Sequence, residues 1–239
     1  MMTRPATIAL CVLLGGALPA QNTPLSAFSA AKVQTLLQDR LPCLGCHQFG
    51  DAGGRIAPDL ATVGTRRSRD YIARMVRDPQ SAMPGTIMPK TPMPESQRDL
   101  IITFLARQGA FAQSEGRRDS ARGEEPQPPP AATSPERSPA ALYARNCAPC
   151  HGAKGAGDGP NARFLPRRPS AHSNRTAMSQ RPDDTLFDAI AAGGYILGKS
   201  NRMPAFGQTL STIEMRGLVR YIRELCSCEG PAWSRDGAR

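Results

Sequence analysis

Apolar side chains recur at helical spacing in a handful of short segments, with long polar or glycine-rich stretches between them. Val33, Leu36, Leu37 and Leu41 step by three and four residues and predict a helix over 30–41 with one inward face. Tyr71, Ile72, Met75 and Val76 do the same within an Arg-rich helix at 68–77, and Ile101, Phe104 and Leu105 mark a further apolar stripe. Later in the chain, Leu142 and Tyr143 belong to a short helix opened by Ser138-Pro139, an N-cap followed by a proline at the first helical position. Leu186, Phe187 and Ile190 give a helix over 183–192 that Gly193-Gly194 ends. A terminal helix from Thr212 to about Leu225 starts at Ser211-Thr212-Ile213-Glu214, a capping box, with Leu210 and Met215 placed as a hydrophobic staple. No βαβ pattern interrupts these segments, and the expected fold class is all-α.

The gaps divide the chain. Residues 112–139 hold six prolines, nine charged residues and almost no large apolar side chain, which reads as a Pro-rich disordered linker, extended and semi-rigid at Pro126 to Pro130. Residues 1–20 combine Arg4 with an uncharged apolar run and a small residue before Gln21, as a secretory signal peptide does; an uncleaved membrane anchor is the alternative. The expected organisation is therefore a leader (1–20), a unit over 25–111, the linker, a unit over 140–228 and a tail (229–239). Whether the two units pack together or stay apart is open.

Units of this size have marginal cores, so the chemistry of their cysteines matters. Cys43-Leu44-Gly45-Cys46-His47 and Cys147-Ala148-Pro149-Cys150-His151 are both C-x-x-C-H, 104 residues apart. Two thiols at this spacing can add to the two vinyl groups of one haem, and the following histidine is then placed to meet the iron. Zinc would require a second ligand pair for each metal, and a thioredoxin-like pair would require a βαβ setting. Neither is present, so two covalently attached haem c groups per chain are expected. Of the remaining cysteines, Cys11 goes with the leader, while Cys226 and Cys228 form a disulfide or stay as free thiols.

A Met-Pro pair follows each motif, Met88-Pro89 and Met203-Pro204, and thioether sulfur is a common sixth ligand of a His-ligated haem. With these residues the chain resembles the class I cytochrome c family, as two cytochrome c domains in tandem, each a few helices around one haem. The resemblance implies His47 and His151 as proximal ligands and Met88 and Met203 as their partners across the iron. It also implies a proline carbonyl accepting from the second ring nitrogen of each histidine, at Pro58 and Pro160. Met83 and Met93 compete with Met88. Matching Ile101, Phe104 and Leu105 to Leu218, Tyr221 and Ile222 places Met93 on Leu210, in the staple position, and so in the core. His172, in a loop with serine and proline, is expected to be solvated.

The formal charge is +10, with about +4 in 25–111 and +6 in 140–228. Five arginines and no acid fall within 163–181, which with Lys154 and Lys199 make a candidate docking face for acidic redox proteins. No aromatic-interleaved basic stripe points to nucleic acid, whereas peripheral association with an anionic membrane is compatible with the charge. Closed His/Met coordination favours electron transfer over catalysis. The expectation is a periplasmic carrier of single electrons between respiratory partners, not an enzyme. The alternatives are a subunit through which electrons enter an oxidase or dehydrogenase complex and, less favoured, a dihaem peroxidase.

Overall fold

The computed structural model describes residues 25–109 and 136–234. The expected leader, Cys11 and most of the expected linker lie outside them. The chain is mostly helical. Helix α1 (Ala27–Thr35) starts at Ser26, whose side chain accepts from the Ser29 amide, and runs on through a π turn at Leu36–Arg40. Ser26 therefore moves the start of this helix ahead of the apolar stripe that announces it. The chain between the first motif and the next helix makes a small hairpin, β1 (Gln48–Phe49) against β2 (Ala52–Gly53), with Gly50 at positive φ in the turn. This hairpin is a departure from the all-α expectation. Short α2 (Val63–Arg66), α3 (Arg69–Arg77), α4 (Pro79–Ala82) and α5 (Glu95–Leu105) complete the first half, with Ser68 capping α3.

The second half opens with α6 (Pro139–Asn146), capped by Ser138, and α7 (Ala148–His151), which carries the motif itself. Then come α8 (Arg175–Ser179), α9 (Asp183–Ala192) and α10 (Thr212–Cys226). The capping box at Ser211 and Glu214 is formed in both directions, and Leu210 and Met215 are both buried. Arg137 pairs with Glu214, so residues assigned to the end of the linker are built into this half. Cys226, the last residue of α10, is joined to Cys228 as a disulfide.

Among the described residues the buried apolar side chains form two separate clusters. One gathers Val33, Leu37, Leu44, Ile72, Ile101, Ile102, Phe104 and Leu105 from α1, α3, α5 and the first motif. The other joins Leu142, Tyr143, Met178, Ile190, Phe206, Leu218 and Ile222 from α6, α8, α9, α10 and the loop before α10. Each cluster has one attachment motif on its border, with Cys43 packed against the first and Cys147 against the second. No helix among the described residues is long and apolar enough to cross a membrane.

Candidate functional site: two cysteine-histidine motifs

Both motifs wind into one helical turn. The amide of His47 donates to the Cys43 carbonyl at 2.9 Å, and that of His151 to the Cys147 carbonyl at 2.8 Å. The turn brings each pair of cysteines and its histidine to the edge of a core. After the first motif, the chain folds back along it: Gly54 N donates to Leu44 O, and Ile56 N and Ala57 N both donate to Cys46 O. In the second half, Gly157 N, Gly159 N and Asn161 N take the carbonyls of His151, Cys150 and Pro149.

His47 Nδ1 donates to the Pro58 carbonyl at 2.7 Å, the partner expected of it. His151 differs. Its Nδ1 donates to Ser170 O at 2.9 Å, and Pro160 is exposed. The reason is loop length. Acceptor and histidine are 11 residues apart in the first half and 19 in the second. The early part of the longer loop is bound to the carbonyls of the motif, and the chain meets the imidazole only when it returns at Pro169-Ser170. Burial lowers the pKa of both histidines, against the opposing effect of these carbonyls. Each ring is therefore neutral with Nδ1 engaged, leaving the Nε2 lone pair for a metal.

The four motif cysteines carry free, half-buried thiols. Burial pushes Cys43 up to about 11 and Cys46 and Cys147 up to about 12, so these thiols are protonated. No group of three or more His, Cys, Asp or Glu is arranged to hold a metal ion among the described residues. The donor set fits covalent haem: paired neutral thiols beside one imidazole in each motif. Arg202 Nε, next to Met203, is a buried donor with no acceptor among the described residues, and a haem propionate would suit it.

The methionines separate by packing. Met93, Met178 and Met215 belong to or pack against the apolar clusters, whereas Met83, Met88 and Met203 lie outside both. Met93 stands immediately before Pro94, the N-cap of α5, as Leu210 stands before Ser211 at α10. The Met88 backbone is held in its loop by Gln80, whose side chain donates to Met88 O at 3.1 Å. In the second half, Gly194 N donates to Met203 O, tying that loop to the end of α9.

His172 is not solvated. It is buried, stacked on His151 with ring centroids 4.1 Å apart, and its Nδ1 lies 3.0 Å from the Tyr143 hydroxyl. Burial, then the nearby His151, Arg181 and Lys199, push its pKa down to about 2. Its loop is polar in sequence, and the burial comes from Tyr143 across the core, which no local spacing reveals. Ser170, Tyr143 and Asn161 are likewise absent from the expected site. On the outer side of the second loop, Arg163 and Arg168 line an open cleft of about 610 Å³ together with Asp158 and Pro160.

Residues 134–222 match the family model described as cytochrome C oxidase, cbb3-type, subunit III, a cytochrome c family. This stretch is similar to a cytochrome c-type domain. Domains of that type imply covalently bound haem c and haem-based electron transfer. The match spans α6 to most of α10 and contains the second motif, Ser170, His172 and Met203. No curated protein and no solved structure matches the chain.

Proposed function

We propose that the chain is an exported dihaem c-type cytochrome that carries single electrons between respiratory redox partners. In this reading residues 25–111 and 140–228 are two class I cytochrome c domains. Cys43 and Cys46 hold one haem and Cys147 and Cys150 the other, with His47 and His151 as proximal ligands and Met88 and Met203 opposite them. The observation that carries the reading is the repeated local build: each C-x-x-C-H is wound into one turn whose histidine gives Nδ1 to a backbone carbonyl. Bound haem supplies an iron that alternates between ferric and ferrous, one electron per haem.

The residues have plain roles in that exchange. Pro58 and Ser170 fix the orientation of each imidazole and raise its basicity as a ligand. Met88 and Met203 would each supply a thioether ligand to the iron, which raises the potential relative to two histidines. Such a ligand set would leave no open site for a substrate, which favours a carrier over an enzyme. Exposed Arg163, Arg167, Arg168 and Arg175 favour acidic docking partners and permit contact with an anionic membrane surface. Periplasmic location rests on the leader-like residues 1–20.

The match to a cbb3-type oxidase subunit model favours one second reading, in which the chain admits electrons to an oxidase complex. Copurification of oxidase subunits with the exported protein would select it over the free carrier.

The test is a redox titration followed by optical spectra on the purified holoprotein. Two haems per chain and two Met-to-iron charge-transfer bands are expected. Met203→Ala should convert one haem to high spin, and an unchanged spectrum would refute its role. Met88→Ala should do the same for the other haem. Met93→Ala should leave the spectrum intact and destabilise the fold by about 2 kcal/mol, because it removes a packed side chain.

A further inference from the structure

The two motifs are not independent features of the molecule. Asn161, 1% exposed, uses its amide group in both halves at once. Its Nδ2 donates to Gly45 O at 2.7 Å, within the first C-x-x-C, and lies 3.3 Å from Cys150 Sγ in the second. Its Oδ1 accepts from Arg55 N at 2.8 Å. One side chain thus joins the backbone of the first attachment motif to the second sulfur of the other.

Two glycines leave the space for this approach. A Cβ on Gly54 would come within 2.5 Å of Gly45 O and 2.7 Å of both polar atoms of the Asn161 amide. A Cβ on Gly45 would lie 1.9 Å from the carbonyl of Arg202, the residue before Met203. Neither glycine has positive φ, so close approach is the reason for glycine at both positions. Burial of an amide is costly unless its hydrogen bonds are made, and here all the polar atoms of Asn161 have partners.

We infer that Asn161 is a positioning residue that locks the two haem-attachment motifs face to face, so that electrons pass directly between the haems at their cysteine-linked edges. The inference rests on the dihaem reading above. Cys150 Sγ remains a weak acceptor once it is a thioether, so the contact persists in the haem-loaded chain. The cysteines would be the points at which the protein is bonded to each haem, and their juxtaposition would bring the haems together there. Other polar contacts also join the halves, but Asn161 bonds to both attachment motifs, and without it the spacing between them is no longer fixed.

The experiment uses the full-length holoprotein, with Asn161→Ala and Asn161→Leu as separate variants. Haem count and ligation bands are read first, amide hydrogen exchange at Arg55 second, and the rate of electron exchange between haems after a reducing pulse third. The expected result is two haems with unaltered bands in both variants. Arg55 exchange should rise about tenfold in Asn161→Ala, as the loss of one buried hydrogen bond requires. Electron exchange should slow by about tenfold in each variant, since the spacing between the two motifs is no longer fixed. Electron exchange at the unaltered rate in either variant, with both haems in place, overturns the lock alone. One haem in the unaltered chain overturns the dihaem reading and the lock with it. If Asn161→Ala fails to fold, Asn161→Leu decides, because it keeps the volume of the side chain while removing the amide.

Discussion

His172 shows how a single residue can be misjudged from its neighbours in sequence. The segment around it is polar, yet the ring is buried between His151 and Tyr143. Tyr143 is almost wholly buried, and burial raises its pKa, so its hydroxyl is a neutral hydrogen-bonding group. Tyr143→Phe would remove the partner of His172 Nδ1 while preserving the aromatic packing on Tyr221. The expected cost is about 1–3 kcal/mol in denaturant unfolding of the holoprotein, since the nitrogen left behind is buried. The haem bands should not change, because His151 keeps its bond to Ser170. Loss of a haem band would instead make Tyr143 part of the ligand scaffold. The motif residues themselves were legible, because five adjacent residues state their chemistry without tertiary help. Ser170 was not, because what it supplies is a backbone carbonyl, a group every residue has.

Among the elements, legibility followed the caps. The bounds of α9 and α10 agree with the sequence reading almost to the residue, since glycine and a capping box punctuate them. Helix α8 is five residues long and contributes one core side chain, Met178, too little for a periodic signal. The same caps offer a test with pH. Glu214 is held down to about 2, first by its hydrogen bond to Arg137 and further by its bonds to Ser211. A carboxylate with a lowered folded pKa adds stability above its ordinary value of 4.5 and loses it as pH falls toward 2. Glu214→Gln retains a side-chain oxygen for the Ser211 amide but no charge for Arg137 or for the helix N-terminus. It should be less stable than the unaltered chain by about 1 kcal/mol at neutral pH. Urea titrations on both proteins should show that gap closing between pH 4.5 and 2. A gap of constant size would assign the loss to helix packing and not to the carboxylate.

At the scale of the whole molecule, the Pro-rich stretch left open whether the halves meet. They do, through a pattern with no signature in sequence. Arg202 donates to Leu37 O, Asn201 to Gln38 O and Leu41 O, and Asn161 to Gly45 O, all of them main-chain carbonyls. Lys90 N returns a bond to Thr209, Arg40 donates to the Tyr195 hydroxyl, and the Arg55 guanidinium stacks over Phe164 at 4.7 Å. No apolar stripe marks this surface, because polar side chains reach across to backbone. Contacts of this kind contribute about 1 kcal/mol each, and covalent connection then multiplies them through a high effective concentration. Cutting the chain at a protease site inserted within 112–135 should therefore leave two fragments that comigrate in gel filtration when concentrated. They should separate on dilution, because the effective concentration supplied by the connection is gone. Asn161→Ala in the cut protein should move that separation to a higher concentration. Fragments that never comigrate would mean that the connection alone holds the halves in register. Fragments that comigrate equally well with and without Asn161 would place the affinity in the Arg202 and Asn201 contacts with α1 and its π turn.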